Sequence, residues 1–358
     1  FMSDFLQHKS QEEIEGWLRE TDPERLKLLW AAADETRRRH VGDQVHLRGL
    51  IEISNYCIRA CAYCGLRAGH TGVKRYRLTR DEIFSCAHKA VGFEYGTVVL
   101  QAGEDYGIKR DWLAEIIKTI KKETNLAVTL SLGERPDEDL IAWRTAGADR
   151  YLLRFETSDR ALYERIHPPA KGQEISDRPA ILRRLKQLGY EAGSGVMVGI
   201  PGQDYSILAR DILLFQDLDL DMIGVGPFIA HPETPLGRGE LESAPDGEQV
   251  PNTEGMTYKT VALTRLICPE ANIPSTTALA TINTALGREL GLSRGANIVM
   301  PNLTPPQYRA LYEIYPAKAC IDEAAEDCHA CMKGRIRRIG RIPGTGPGGR
   351  KKGGIAPQ

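Results

Sequence analysis

The 358-residue sequence predicts an α/β protein: a (β/α)8 barrel of the TIM type with a helical extension before it and a cysteine-bearing extension after it. Three observations carry that prediction. From Val45 onward, short β-rich runs alternate with amphipathic helical stretches, as parallel βαβ units require. The β-rich runs number eight, and right-handed crossovers between eight such units close a barrel. The length suits one barrel of about 250 residues plus extensions. An open doubly wound sheet fits the same alternation, and the count of eight is the reason to prefer closure.

Taken in order, residues 1–44 read as helices. Ser10-Gln-Glu-Glu13 is a capping-box pattern, and Leu26, Leu29, Trp30 and Ala33 recur at helical spacing. The barrel is assigned to residues 45–316, with strands expected at Val45–Ser54, Gly96–Gln101, Ala127–Leu132, Arg150–Glu156, Glu191–Val198, Met222–Pro227, Pro274–Ala278 and Ala296–Pro301. Helices are expected at Thr79–Val91, Arg110–Thr124, Asp137–Ala146, Asp177–Leu188, Asp204–Leu218, Thr257–Ile267 and Ala285–Leu290, and a short, proline-broken one around Gln307–Ile314. Residues 317–358 carry a second cysteine group and, from Lys333, a basic Gly-rich run without periodicity. That run reads as a loosely held end or an edge-covering arm.

Lys and Arg total 47 against 48 Asp and Glu, a net charge of −1, so no whole-protein field favours nucleic acid or an anionic membrane. No apolar run approaches the ~20 residues of a membrane span. The first twenty residues lack an apolar segment with a cleavage site, and a cytoplasmic chain is expected.

Eight cysteines in such a chain are thiols or ligands before they are disulfides. Cys57, Cys61 and Cys64 form C-x3-C-x2-C directly after the first strand, where barrel sites form. One specified three-cysteine pattern would arise by chance roughly 0.004 times in this composition. Three thiolates on a tight loop can hold three irons of a cubane and leave the fourth open. The alternative is a zinc site completed by His70, which the spacing disfavours because zinc sites use paired C-x2-C units. Cys320, Cys328 and Cys331 form C-x7-C-x2-C, whereas Cys86 and Cys268 sit in helical patterns as small hydrophobes.

Other strand ends carry polar groups. Glycine at Gly103 lets main chain approach closely, or is an ordinary turn residue. Glu156 and Arg178 are an acid–base pair for a ligand, or a surface ion pair. Arg150 and Arg154, four residues apart on a strand, share a face; in a lumen they need an anionic ligand or interior carboxylates. Met222 and Met300 read first as packing residues.

The cysteine motif, with Tyr63 before its last cysteine, resembles the radical S-adenosylmethionine (SAM) superfamily. The resemblance implies a [4Fe–4S] cluster whose open iron chelates the amino and carboxylate groups of SAM. One-electron reduction then splits the S–C5′ bond and yields a 5′-deoxyadenosyl radical. It sharpens, from Leu26 to Arg341, to the biotin synthase-like [FeFe]-hydrogenase maturases. The matching segments are Cys61–Arg67, Val99–Asp105, Thr129–Glu134, Gly147–Arg154, Met222–Phe228, His231–Pro235 and Gly295–Pro301. By that resemblance Tyr63, Gln101, Gly103, Glu104, Thr129, Glu156, Arg178 and Tyr312 contact SAM, and Val198–Gly202 forms the adenine-side turn. Arg150, Arg154, Met222, Thr276, Thr277 and Met300 line a substrate or anion cavity, while Cys320, Cys328 and Cys331 hold an auxiliary [2Fe–2S] or [4Fe–4S] cluster, a zinc ion, or nothing.

The implied substrate is a small thiol-containing or organometallic species, an iron–cysteine unit with CO and cyanide. The implied partners are an electron-donor protein and fellow maturases, with no nucleic acid and no membrane. No catalytic residue is assigned. Ala102 and Phe155 depart from the pattern, which has serine and histidine there. The readings kept beside this one are methylornithine synthase, a biotin synthase-like enzyme, and a non-catalytic iron–sulfur scaffold.

Overall fold

The computed structural model describes residues 10–169, 174–319 and 325–351. In chain order the elements are α1 (Gln11–Arg19), α2 (Pro23–Val41), β1 (Gln44–Ser54), α3 (Arg80–Gly92), β2 (Thr97–Ala102), α4 (Arg110–Glu123), β3 (Ala127–Ser131), α5 (Asp137–Thr145), β4 (Arg150–Leu152), α6 (Arg160–Ile166) and α7 (Arg178–Gln187). There follow β5 (Glu191–Val198), α8 (Tyr205–Asp217), β6 (Met222–Pro227), α9 (Glu254–Ile267), α10 (Thr277–Ile282), α11 (Gly287–Leu292), β7 (Ile298–Val299), α12 (Pro306–Arg309), α13 (Ala325–Arg338) and β8 (Ile342–Pro343). Helix starts follow local chemistry. Ser10 accepts from the Glu13 amide, and Thr79 with Glu82 forms a reciprocal capping box.

All strand pairs are parallel, in the order β6-β5-β4-β3-β2-β1-β7, with β8 paired to the start of β1. The strand expected at Pro274–Ala278 is not a ladder. Residues 272–275 nevertheless bond to both sides: Ile223 N donates to Asn272 O (2.9 Å), Asn297 N to Ile273 O (2.8 Å) and Ser275 N to Ile298 O (2.9 Å). The hydrogen-bonded circuit therefore closes over eight staves. Pro274 lacks an amide donor, and Thr276 already caps α10 by accepting from Leu279 N, so this stave ends after four residues. The strand expected to run to Glu156 stops at Leu152, because Glu156 has φ +64° and returns to the sheet only as a single bridge to Val196.

Side chains alternate about the sheet. Leu47, Ile51 and Ile53 of β1 join the apolar core beneath the helices, and so do Val98, Leu100, Val128 and Leu130. Arg48 points the other way and reaches across the lumen to the Met222 sulfur (2.9 Å). The same core takes in Ile14, Leu18, Leu29 and Ala33 from α1 and α2. Among the described residues no helix is long and apolar enough to cross a membrane.

The Gly-rich tail is neither loose nor an edge cover as far as Lys351. It is a strap across the amino-terminal mouth of the barrel. Gly344 N donates to Val45 O, Pro347 O accepts from Thr97 Oγ1 (2.9 Å) and Arg150 (3.0 Å), and Gly348 O accepts from Arg48 (3.1 Å) and Asn272 (3.0 Å). Arg350 ties the far side to Asp219, Asp221 and Glu270. Glycine is needed at 348, where φ is +56° and a Cβ would sit 2.5 Å from the His46 ring.

Candidate active site at the carboxyl ends of the strands

The cysteine loop leaves β1 at Ser54 and is held in place by groups from three directions. Asn55 Nδ2 donates to the carbonyls of Lys74 (2.9 Å) and Leu311 (2.7 Å). Arg75 spends its guanidinium on the carbonyls of Asn55, Leu66, Arg67 and His70. Ile58 N donates to Glu104 O (3.0 Å), Ala62 N to Ile166 O (2.8 Å) and Gly65 N to Ile314 O (3.0 Å). Gly103 is the close approach the sequence pointed to, since a Cβ there would overlap the Tyr56 carbonyl oxygen.

Cys57, Cys61 and Cys64 are free thiols, Cys61 buried and the other two half-buried. Burial pushes all three upward, Cys61 to about 12, while Arg178 and Arg59 pull the Cys61 thiol back down. Thiolates are thus disfavoured here until a cation takes the protons' place, and the nearby Arg178 and Arg59 offset part of that cost at Cys61. Among the described residues no three His, Cys, Asp or Glu side chains converge on a single ion. Three soft thiol donors on one loop fit, by their chemistry, the donor set of an iron–sulfur cluster.

Around the loop runs a charged network. Arg59 bonds Glu104 (2.8 Å) and Glu134 (2.5 Å), and Arg178 bonds Glu134 (2.9 Å), the Arg154 carbonyl (2.6 Å) and His167 Nε2 (3.3 Å). Tyr63 OH lies 2.9 Å from the same His167 nitrogen, and Ser176 Oγ donates to Glu134 (2.8 Å). Burial, then Arg178 and Arg59, holds His167 well below its ordinary value, so its ring is neutral. Burial raises Glu104 despite Arg59, whereas Arg178 and Arg59 outweigh burial at Glu134 and hold it down. Arg59, Glu134, His167 and Ser176 were not singled out by sequence reasoning. Arg59 and Glu134 lie inside quoted motifs, while His167 and Ser176 carried no signal.

Glu156 takes both forks of Arg154, at 2.7 and 3.0 Å. Tyr312 is buried, hydrogen-bonds Gln101, and has Lys318 Nζ 5.2 Å over its ring. Lys318 in turn pairs with the fully buried Glu52. Thr129 Oγ1 and His167 Nδ1 are buried polar atoms with no hydrogen-bond partner among the described residues, as atoms awaiting a polar ligand are. The site therefore brings together Tyr63, Gln101, Gly103, Glu104, Glu156, Arg178 and Tyr312 with the three cysteines.

The cavity residues divide. Arg154 joins the site, but Arg150 is at the opposite end, bonded to Glu191 (2.6 Å), Thr97 (3.0 Å) and the strap. Both arginines thus have carboxylate partners, Glu156 buried and Glu191 half-buried. Met222 is buried, Met300, Thr276 and Thr277 are half-buried, and Thr276 caps α10. Gly193, Gly224 and Gly226 keep the walls of β5 and β6 thin. A Cβ at Gly224 would point at Arg154, 3.5 Å away, and one at Gly193 would strike Met222.

Of the second cysteine group, Cys320 lies outside the described residues, the Cys328 side chain is likewise undescribed, and Cys331 is an exposed free thiol on α13. His329 stacks on Phe93 at 4.5 Å and lies 3.2 Å from Tyr95 OH. Cys86 and Cys268 are buried, as expected.

A family model of the radical SAM superfamily matches residues 51–214. The chain belongs to that superfamily and is a radical SAM enzyme, which implies a [4Fe–4S] cluster and SAM. It is 47% identical over 329 residues to the [FeFe] hydrogenase maturase subunit HydE of Thermotoga maritima, spanning 91% of this chain and 89% of that protein, and so falls in the HydE family. It is also 30% identical to a 3-methylornithine synthase of Methanosarcina acetivorans, over 93% of this chain and 90% of that one. The solved structure of methylornithine synthase (PylB) superposes with TM-score 0.78 at 26% identity, covering 94% of each chain.

Proposed function

We propose that this chain cleaves SAM reductively and acts in the cytoplasm in assembling the di-iron centre of [FeFe] hydrogenase, with fellow maturases and an electron-donor protein. The observation that carries this reading is a trio of free, desolvated thiols on one loop at the carboxyl ends of the barrel strands, in a chain 47% identical to HydE. When bound, the cluster and SAM supply a 5′-deoxyadenosyl radical.

The protein's own groups hold and shield that chemistry. Cys57, Cys61 and Cys64 hold three irons, with Arg178 and Arg59 favouring the thiolate at Cys61. Tyr63, Gln101, Gly103, Glu104, Thr129, Glu156, Arg178 and Tyr312 seat SAM. Glu156 is held in one orientation by Arg154, which leaves its carboxylate rigid toward a ligand. Arg154, Met222, Thr276, Thr277 and Met300 line the substrate space, a chamber for an iron–cysteine species with CO and cyanide. Arg150 lies at the opposite end of the barrel, where it anchors the strap at the Pro347 carbonyl. An auxiliary [2Fe–2S] or [4Fe–4S] cluster at Cys320, Cys328 and Cys331 is a side feature of this reading.

The test is oxygen-free reconstitution, then dithionite plus SAM, with 5′-deoxyadenosine measured, alongside hydrogenase maturation with and without this chain. Release of 5′-deoxyadenosine, its loss in Cys61→Ala, and failure of maturation without the chain are expected. Cys331→Ala should leave release largely intact. Turnover of lysine or dethiobiotin would instead favour the methylornithine or biotin synthase readings, and cluster binding without release a scaffold.

A further inference from the structure

Helix α8 carries a fully buried acid, Asp211, that the chemistry above does not employ. Its neighbours on the helix, Leu208, Ile212 and Phe215, are wholly buried in the core, so the helix cannot slide to suit its surroundings. The two carboxylate oxygens accept from two different segments of chain. Oδ1 accepts from the Ser158 amide (2.5 Å) and Oδ2 from Gln203 Nε2 (3.4 Å). The adjacent Arg210 is taken up by Ser206 and Asp159. Burial pushes the Asp211 carboxyl up to about 7, even though Ser158 and Gln203 pull it down. A carboxylate kept at that cost is kept for its acceptors.

Both segments lead to the site. Ser158 lies two residues after Glu156, whose φ of +64° is disfavoured for a residue with a side chain, so the chain on either side must hold it. Before it, the Phe155 amide donates to Ser194 Oγ (3.1 Å); after it, the Ser158 amide donates to Asp211. Gln203 closes the Val198–Gly202 turn. Its Oε1 accepts from Gly199 N (2.7 Å) and its Nε2 donates to Met197 O (3.1 Å). Those two bonds decide which end of the Gln203 amide meets Asp211, and it is the donor end. Gln249 braces the same turn through Gly202 N and the Ile200 carbonyl.

We infer that Asp211 is a positioning residue that sets the Val198–Gly202 turn against Glu156 and so fixes the seat of the nucleoside half of SAM; the inference rests on the SAM-cleaving reading above. Asp211 acts through its neighbours and not on the ligand. Both neighbours donate, so both of its oxygens must accept. An amide in its place brings one acceptor and one donor, and that donor opposes either the Ser158 amide or Gln203 Nε2. Turning the Gln203 amide to relieve the conflict breaks its bonds to Gly199 and Met197. The turn or the Glu156 segment then moves, which loosens the hold on the nucleoside. The amino and carboxylate groups of SAM, chelated at the cluster in that reading, are held elsewhere.

The experiment compares the reconstituted chain with its Asp211→Asn, Gln203→Met and double variants at about pH 8, above the Asp211 value of about 7. SAM and methionine binding are each read from the cluster's paramagnetic resonance, and 5′-deoxyadenosine release under dithionite gives KM and kcat. Asp211→Asn should weaken SAM binding and raise its KM about tenfold, with kcat within about threefold and methionine binding unchanged. Gln203→Met should do the same, and the double variant should be no worse than either alone, as for residues acting along one route. Iron content and urea midpoints report folding; if Asp211→Asn does not load iron, Gln203→Met carries the same test. SAM binding as in the parent, equal weakening of SAM and methionine, or additive losses in the double variant overturns the inference alone. Failure of the parent to bind SAM overturns the SAM-cleaving reading and this inference with it.

Discussion

At the scale of single residues, the site depends on close approaches and on shared charges. A methyl group at Gly103 overlaps a backbone oxygen, which cannot rotate away as a side chain can. Gly103→Ala should therefore displace the cysteine loop and reduce the iron bound on reconstitution, with the circular dichroism unchanged; full iron loading would contradict this. Glu134 serves two guanidinium groups at once, the buried Arg178 and the half-buried Arg59. Glu134→Gln should cost about 3 kcal/mol in urea unfolding, as breaking a buried pair does, and a loss of a few tenths would show that water screens the network. The cysteines, Glu156 and Arg178 were legible because motif and strand-end position travel together in the sequence. His167 was not, since it reaches the site only through the helix α6 that carries the chain to it.

At the scale of elements, the alternation of strand and helix was read correctly, because periodicity is local information. The seventh stave and the strap were misjudged for the same underlying reason: their bonds are made to distant backbone. A proline beside a helix cap looks like a strand run, and a glycine-rich tail without periodicity looks free. Its bonds to Arg48, Arg150 and Thr97 appear only when the barrel mouth is assembled. Deleting residues 344–358 should lower stability by ~3 kcal/mol, the worth of about two charged hydrogen bonds, and an unchanged urea midpoint would contradict the strap. His46 lies under it, and burial, then Arg48, Arg150 and Lys351, shifts its pKa from the ordinary 6.5 to about 4. A lowered folded value means the neutral ring is favoured in the folded chain, so its contribution holds above pH 6.5 and is lost as pH falls toward 4. Urea midpoints between pH 7 and pH 4.5 should fall, and less so in His46→Gln.

At the scale of the whole molecule, a strap crosses the amino-terminal mouth of the barrel and a charged network surrounds the cysteine loop at the other end. The strap is bonded at its mouth to Arg48, Thr97 and Arg150. Net charge conceals this polarity, because −1 overall coexists with residues 55–80, the cysteine loop and its return, which hold six Lys and Arg and no Asp or Glu. The central claim is that three cysteines hold a cluster with one iron left for SAM. Electron paramagnetic resonance of the reduced, reconstituted protein, with and without SAM bearing an isotope-labelled amino group, tests it most directly. Hyperfine coupling from the labelled nitrogen to the cluster is the predicted result, and a spectrum indifferent to SAM would contradict the account.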